Sequence, residues 1–167
     1  LYSSIVGGDL VVESCTAQEG VGGGLHAEGS NVDLADAWFI DDSADQAGGA
    51  IHARSASTVS LTGGGISGCT AGDGGALFAS RSSMVSLAGT TVQANRATSG
   101  SGGGFSLLAE TPTDITTLTL TACDLGEKSS DNEPADLQVT AEDGTTATCS
   151  YGGVTTLSVT VDSPACP

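Results

Sequence analysis

Apolar and polar residues alternate in short stretches along the chain, and these stretches return at a regular interval. A Gly-Gly pair followed by a small and an apolar residue begins at Gly22, Gly48 and Gly74, which are 26 residues apart, and again at Gly102, 28 residues later. Self-similarity at a period of about 20 to 50 residues is typical of solenoids and other repeat arrays. The pattern therefore predicts a stack of similar small units.

Other apolar positions recur in the same register as the glycines. An alternating apolar pair follows each glycine motif, and the pairs are Val32 and Leu34, Val59 and Leu61, Val85 and Leu87, with Ile115 in the last copy. A partial copy that contains Val12 precedes the first motif. Alternation with a period of two predicts short, half-buried strands. Clusters of Gly, Ser, Asn and Asp between the stretches favour turns.

The repeat predicts an all-β fold in which each copy forms one coil of short strands. One coil cannot bury its inner face alone, so neighbouring coils must stack. We expect a parallel β-solenoid of about five to seven coils of 26–28 residues. Its interior should contain columns of like side chains, one made of Leu25, Ile51, Leu77 and Phe105 and another of Phe39, Ile66, Val92 and Leu120. The glycine pairs should form a sharp corner of each coil.

The pattern divides the single domain into three segments. Residues 1–125 are predicted to form solenoid coils, 126–136 a polar loop with the sequence GEKSSDNEPAD, and 137–167 two strands that either add a coil or cap the end. The start of the chain has no recognisable cap. Exposed solenoid ends present unpaired strand edges, which predicts head-to-tail stacking or completion of one copy by a strand of another.

Composition excludes several classes of partner. The chain contains 20 Asp and Glu against 4 Lys and Arg, a formal net charge of -16, which would repel nucleic acids and anionic membrane surfaces. No apolar run is long enough to span a bilayer, so membrane insertion is not expected. The chain begins at Leu1 rather than at Met, which predicts a processed or excised product.

Five small polar or thiol residues occupy one position of successive copies and predict a structural ladder. They are Cys15, Asp42, Cys69, Asn95 and Cys123. An inward Asn there would bond the backbones of adjacent coils, and Cys fits as a small buried residue. Adjacent coils lie about 4.8 Å apart, so thiols two coils apart are too distant for a disulfide. We expect free structural thiols.

The other two cysteines predict a covalent link near the end of the chain. Cys149 and Cys166 could form a disulfide that staples the C-terminal strands, and Cys123 with Cys149 is the rival pairing. Because the number of cysteines, 5, is odd, at least one thiol stays free or bonds another chain.

Two groups of polar residues are candidate metal ligands. Asp41, Asp42 and Asp45 in the sequence DDSAD are weak Ca²⁺ candidates, but their spacing differs from that of calcium-binding β-rolls, and a solvated turn is expected. His26 and His52 share one position of successive coils. Phe78 takes the third place, so we expect a solvated surface there as well. No cofactor is therefore predicted.

Trp38 is a candidate contact residue. It should point outward if Phe39 points inward. An exposed indole either stacks on a sugar or a neighbouring subunit, or covers its own coil.

The third copy, GGALFASRSSMVSLAGTTVQANRATSGS, resembles a repeat of the chlamydial polymorphic outer membrane protein type. This type belongs to the right-handed β-helix surface adhesins and pectin-lyase-like folds, and the resemblance extends over residues 5 to 125. It implies a right-handed parallel β-helix that is extracellular or on the cell surface and has an adhesive or structural role.

The sequence therefore predicts a non-enzymatic extracellular module, structural or adhesive, that self-assembles head to tail into a fibre or binds a surface glycan or receptor. The alternative is a polysaccharide lyase or hydrolase on the same fold, which needs paired carboxylates, with a basic residue in the lyase. The basic residues are few, and they are Arg54, Arg81, Arg96 and Lys128. Turns between the copies are also too short to build a cleft, so we do not expect an enzyme.

Overall fold

The computed structural model describes residues 3–100, 102–126, 131–149, 151–152 and 154–160. Parallel strands stack there into a β-solenoid of about four turns. The predicted fold class is confirmed, whereas the expected five to seven coils were too many. In this part of the chain no helix is long and apolar enough to cross a membrane.

The strands are short and follow one another around the coils. The first coil contains β1 (Ser4–Gly8), β2 (Val11–Glu13) and β3 (Thr16–Ala17). The second contains β4 (Leu25–Glu28), β5 (Asn31–Ala35), β6 (Trp38–Ile40) and β7 (Ser43–Ala44). The third contains β8 (Ile51–Arg54), β9 (Thr58–Thr62), β10 (Gly65–Ser67) and β11 (Thr70–Ala71). The fourth contains β12 (Leu77–Ser80), β13 (Met84–Ala88), β14 (Thr91–Gln93) and β15 (Arg96–Ala97). The last strands are β16 (Phe105–Leu108), β17 (Thr117–Thr121), β18 (Leu137–Thr140), β19 (Thr146–Cys149) and β20 (Thr156–Thr160).

Equivalent strands of successive coils pair side by side and form four sheets. The first sheet has the order β1-β5-β9-β13-β17-β20, the second β2-β6-β10-β14, the third β3-β7-β11-β15 and the fourth β4-β8-β12-β16-β18-β19. Neighbouring strands are parallel except in the pairs β17 with β20 and β18 with β19. Each coil therefore rests on the one before it through backbone hydrogen bonds.

The interior consists of the predicted columns of apolar side chains. Leu25, Ile51, Leu77 and Phe105 are aligned by the pairing of the fourth sheet, and Leu137 follows them. Phe39 pairs with Ile66 and Ile66 with Val92 in the second sheet. All of these residues are buried except Leu25, which is half-buried. The period-two alternation thus separates inner from outer side chains.

The last apolar column differs from the sequence prediction. Leu120 was expected to follow Val92, but it pairs with Leu87, and Leu118 rather than Ile115 pairs with Val85. The cause is a longer turn before β17, which covers residues 109–116, whereas residues 81–83 precede β13. Ile115 lies in this turn and is 60% exposed. The extra residues give β17 higher residue numbers but leave it paired with β13 in the first sheet.

The glycine pairs form the predicted corner of the coil. Gly48 has a φ of +67°, and a Cβ atom there would overlap with the carbonyl oxygen of Ile51. At the next position a Cβ on Gly49 would overlap with the carbonyl oxygen of Gly75 in the next coil. Left-handed backbone and close stacking of coils both require glycine at this corner.

The two ends of the stack differ. At the C-terminal end, β19 and β20 pair antiparallel as the last strands of the fourth and first sheets, so they do not repeat the parallel coil. At the N-terminal end, β1, β2 and β3 have a paired strand on one side only. Among the described residues of this first coil none is buried, and Ile5 and Val6 are 48% and 79% exposed.

Candidate functional site

A buried polar ladder runs along one corner of the stack, as the sequence predicted for four of its members. The backbone N–H of Cys15 donates to Oδ1 of Asp42 at 2.8 Å, and that of Cys69 donates to Oδ1 of Asn95 at 3.0 Å. Asn95 Nδ2 also donates to the carbonyl oxygen of Ile66 at 3.0 Å. Side chains of one coil therefore satisfy backbone groups of the coils before it.

The fifth member of the ladder is Asn132, not Cys123. The N–H and Nδ2 of Asn95 both donate to Oδ1 of Asn132, at 3.3 and 2.9 Å, and Asn132 Nδ2 donates to Oδ1 of Asp136 at 3.0 Å. The longer turn before β17 moves Cys123 out of this column, and its thiol instead faces the carbonyl oxygen of Leu87 at 3.4 Å.

Asn132 and Asp136 were missed because both fall in the segment that the sequence indicated as a polar loop. The structure buries both side chains completely. The one available signal was an Asn followed closely by an Ala, as in Asn132 with Ala135 and in Asn95 with Ala97. The Asn and the Ala are three positions apart in the first case and two in the second, and this difference in spacing hid the signal.

Asp42 is the ladder residue whose side chain lacks one hydrogen-bond partner. Its side chain is buried, Oδ1 accepts from Cys15, and Oδ2 has no hydrogen-bond partner among the described residues. Burial raises the pKa of this carboxyl group above its ordinary value of 3.8. Asn95 and Asn132 place an N–H donor where Asp42 has Oδ2, and the register puts the carbonyl of Val12 opposite it. A protonated Asp42 would supply the missing donor.

The predicted aspartate cluster does not converge on one point. Asp42 points into the ladder, whereas Asp41 and Asp45 are exposed, and Asp45 Oδ2 accepts from the backbone N–H of Glu19 at 2.7 Å. Within the described ranges no three His, Cys, Asp or Glu side chains are grouped so that they could hold a metal ion. The structure therefore does not bring the three candidate side chains together.

The cysteines have different environments. Cys15, Cys69 and Cys123 are free thiols, and Cys15 is exposed while the other two are buried. Burial raises the pKa of the Cys69 thiol to about 12, which keeps it protonated and unreactive. Cys149 is disulfide-bonded. Its predicted partner, Cys166, lies outside the described residues, and the rival pairing with Cys123 is not formed.

His26 and His52 stand next to each other on the outer face of the fourth sheet, as their shared position predicted. Their Nδ1 atoms are 3.1 Å apart, their ring centroids are 5.0 Å apart, and the ring of Phe78 stacks on His52 at 5.3 Å. His26 is exposed, but His52 is only 5% exposed, which differs from the solvated surface that was expected. Burial, followed by the charges of His26 and Arg54, lowers the pKa of His52 to about 4, so it is a neutral packing residue at neutral pH.

Two arginines are engaged in ion pairs between coils. Arg54 Nη2 is 2.8 Å from Oε1 of Glu28, and Arg81 Nε is 2.7 Å from Oε2 of Glu110. The hydrogen bond from Arg54 lowers the pKa of the Glu28 carboxyl group. These pairs lie near the surface, where such contacts contribute little to stability. Of the remaining basic residues, Arg96 is exposed on β15 and Lys128 lies outside the described residues.

Trp38 points outward from the second sheet, opposite to the buried Phe39, and its side chain is 41% exposed. In the register of that sheet it lies between Val11 and Gly65. A Cβ atom on Gly65 would be 2.7 Å from Cζ3 of Trp38, which shows that the indole lies over this glycine. The ring therefore covers part of the third coil and presents its other side to solvent.

Comparisons with known proteins add no family to this picture. No protein-family model matches the chain, and neither a curated protein nor a solved structure is significantly similar to it. The β-solenoid assignment rests on the strand register itself.

Proposed function

We propose that this chain is a non-enzymatic, extracellular structural β-solenoid that joins other copies head to tail through its N-terminal end. The observation that carries the proposal is that β1, β2 and β3 have a paired strand on one side only and that none of the described residues of their coil is buried. The free edges of these three strands offer the backbone groups, and the exposed side chains beside them offer the apolar surface, that another strand needs.

The open end combines free strand edges with exposed apolar side chains. Ile5 and Leu10 are 48% and 39% exposed, and Val6 and Val11, which face outward like their partners Asp33 and Trp38 in the next coil, are 79% and 58% exposed. Unpaired edges and contiguous apolar surface favour association because pairing satisfies backbone groups and removes that surface from water. In the coils behind this one, the equivalent positions of Ile5 are occupied by the buried Val32 and Val59.

The manner of joining determines the product. Contact between the open end of one copy and the C-terminal strands of the next repeats without limit and forms a fibre, whereas contact between two open ends closes a symmetric dimer. We assign the first arrangement, since β19 and β20 continue the hydrogen-bonded fourth and first sheets to the other end of the molecule.

Two further observations support an extracellular setting and a surface role. Cys149 is disulfide-bonded, and disulfides persist mainly in oxidising compartments. The resemblance to right-handed β-helix surface adhesins favours the same location and adds a glycan or receptor as a second kind of partner. A polysaccharide-cleaving role is disfavoured by the ion pairs that occupy Arg54 and Arg81.

Sedimentation velocity across a concentration series, together with electron microscopy, tests the proposed assembly. The wild-type chain should form particles that grow with concentration and appear as rods. The double variant Ile5→Lys with Val6→Lys should stay monomeric because it places two charges in the open edge. Met84→Lys is the matched control, since Met84 is 51% exposed on a lateral face, and this variant should assemble like the wild type.

A wild-type chain that remains monomeric at all concentrations would overturn the proposal. A particle that stops at two copies would overturn head-to-tail joining while retaining the open end as the interface. Equal assembly by the two lysine variants would show that the contact lies elsewhere.

A further inference from the structure

His26 and His52 bring two ring nitrogens together on the outer face of the fourth sheet, and we call them the histidine pair. The pairing of β4 with β8 places the two residues opposite each other. Their Nδ1 atoms are 3.1 Å apart although the ring centroids are 5.0 Å apart, so each Nδ1 lies on the side of its ring that faces the other residue. The ring planes differ by only 17°. Both nitrogens are therefore directed into the space between the two rings.

The separation of these nitrogens is that of two ligands on one metal ion. Zn–N bonds to imidazole are about 2.0–2.1 Å long, so two nitrogens at the angles of tetrahedral or square geometry lie about 2.8–3.4 Å apart. The observed distance of 3.1 Å falls within this range. One ion can thus bind both nitrogens with little movement of either ring.

Neighbouring side chains hold the pair in this position and leave it open on one side. His52 is 5% exposed, and the ring of Phe78 in the next coil stacks on it at 5.3 Å with an interplanar angle of 1°. A ring that is already packed loses little freedom when it binds a ligand, which favours binding. His26 is exposed and belongs to β4, the edge strand of the fourth sheet. The pair is therefore open to ions in solution.

Glu28 and Arg54 determine the charge beside the histidine pair. Glu28 Oε2 is 3.8 Å from Nε2 of His26, and a carboxylate on this side favours the tautomer with its proton on Nε2, which leaves Nδ1 to bind a metal. Arg54 Nη2 is 2.8 Å from Oε1 of the same carboxylate, so its charge is balanced. The net charge of -16 attracts cations to the whole molecule.

We propose that the histidine pair binds one divalent transition-metal ion through its two Nδ1 atoms. Imidazole nitrogens suit Zn²⁺, Ni²⁺ and Cu²⁺, whereas Ca²⁺ and Mg²⁺ prefer oxygen ligands. Two bonds to the metal replace the hydrogen bond between the Nδ1 atoms, and its proton moves through solvent to Nε2 of the same ring. Among the described residues no third His, Cys, Asp or Glu completes the site, so water takes the remaining positions. This inference goes beyond the proposed function and does not depend on the head-to-tail contact.

Nitrogen NMR of the imidazole rings tests this site directly, because the chain contains only 2 histidines. The parent protein carries Ile5→Lys and Val6→Lys to prevent fibre formation and Cys15→Ser to remove the exposed thiol, which is a competing metal ligand. Zn²⁺ alone is added at neutral pH. The Nδ1 signals of both rings should shift together and saturate at one ion per chain. Ca²⁺ at the same concentration should leave both signals unchanged.

Two substitutions and a matched control separate the metal site from a general effect on folding. His26→Phe keeps an aromatic ring beside His52 but removes both nitrogens, so it should abolish the response of His52 to Zn²⁺. Glu28→Gln removes the carboxylate that orients His26 and should weaken Zn²⁺ binding about tenfold. Glu110→Gln breaks the other ion pair between coils, that with Arg81, and should bind Zn²⁺ like the parent. Thermal unfolding without metal checks the fold of each variant, and Zn²⁺ should raise the unfolding temperature of the parent but not of His26→Phe.

Four outcomes would overturn the proposal. The first is that Zn²⁺ shifts the signals of neither ring, or only those of His26. The second is that the shifts are confined to Nε2, which would place the ion on the Glu28 side of His26. A response of equal size to Ca²⁺ would show that the negative surface attracts cations without a site. Saturable Zn²⁺ binding by His26→Phe would show that the metal ligands lie elsewhere.

Discussion

At the scale of single residues, the ladder explains how buried polar groups are tolerated in this interior. Asn95 and Asn132 each donate and accept, so their side chains satisfy the backbones of adjacent coils. Asp42 occupies the same place but lacks a donor when ionised. A buried acceptor without a partner costs about 1 to 3 kcal/mol, so the carboxylate form is a weak point of the stack.

Asp42→Asn should therefore stabilise the protein by about 1 kcal/mol at neutral pH, because the amide supplies the donor that the carboxylate lacks. Chemical denaturation of both proteins measures the difference. The folded pKa of Asp42 is raised above its ordinary value of 3.8. The stability contributed by the protonated carboxyl group is therefore fully present below that pH and is lost as pH rises through the folded pKa. The advantage of the variant should thus shrink in acid.

Asp33→Asn is a suitable control because Asp33 is exposed on the outer side of β5. It should leave stability nearly unchanged at every pH. If Asp42→Asn destabilised the protein at neutral pH, the ionised carboxylate would have to have a partner, and the account of the ladder would be wrong.

The corrected ladder makes a second prediction at this scale. Asn132→Ala removes an acceptor shared by two donors of Asn95 and a donor to the carbonyl of Val92, so it should cost about 3 kcal/mol. Cys123→Ala should cost about 1 kcal/mol, since it removes one buried sulfur at the edge of the core. Denaturant melts of both variants measure this. A larger loss of stability for Cys123→Ala than for Asn132→Ala would support the ladder predicted from the sequence, in which Cys123 is the fifth member.

At the scale of strands and turns, the corner glycine controls how closely coils approach. Gly48 and Gly89 have φ values of +67° and +63°, but only Gly48 has atoms of the chain where a Cβ would lie. Both substitutions to Ala carry the cost of left-handed backbone, about 1 kcal/mol. Gly48→Ala should cost at least about 2 kcal/mol more because it also forces the coil apart. Thermal or denaturant unfolding of the pair isolates the steric part, and equal losses would mean that the corner relaxes freely.

Strands were easier to predict from the sequence than their register near the end of the stack. The columns from Leu25 to Phe105 followed from a constant interval and a period of two, because hydrogen-bonded coils keep like residues adjacent. The turn of residues 109–116 broke that interval, and a turn can lengthen outward without disturbing its strands. Sequence spacing alone could not tell whether the extra residues lay in the turn or shifted the strand.

The site residues were harder to predict for a related reason. The outward direction of Trp38 followed from alternation, but the glycine beneath its ring comes from the next coil and is 27 positions later in the chain, at Gly65. Contacts between coils depend on which residues of neighbouring strands are paired, so a register shift of one residue changes them. Asn132 was missed because it follows Asn95 by 37 positions, whereas β13 and β17 pair at an interval of 33, so residues between β17 and Asn132 add a second shift.

At the scale of the whole molecule, charge and the open end act against each other. A net charge of -16 repels a second copy, whereas the apolar edge of β1 and β2 favours it. Salt screens charges beyond about 10 Å at 0.1 M, so it should weaken the repulsion far more than the apolar contact. Raising ionic strength should therefore increase the sedimentation coefficient at fixed concentration. Dissociation by salt would instead indicate an interface held by ion pairs.

Hydrogen–deuterium exchange at low and high protein concentration tests the central claim most directly, because it locates the contact on the chain. We predict that amides of β1 and β2 exchange more slowly at high concentration, while those of the already buried β9 do not change. Unchanged exchange in β1 and β2 under conditions where the particles grow would contradict the claim that the open N-terminal end joins one copy to the next.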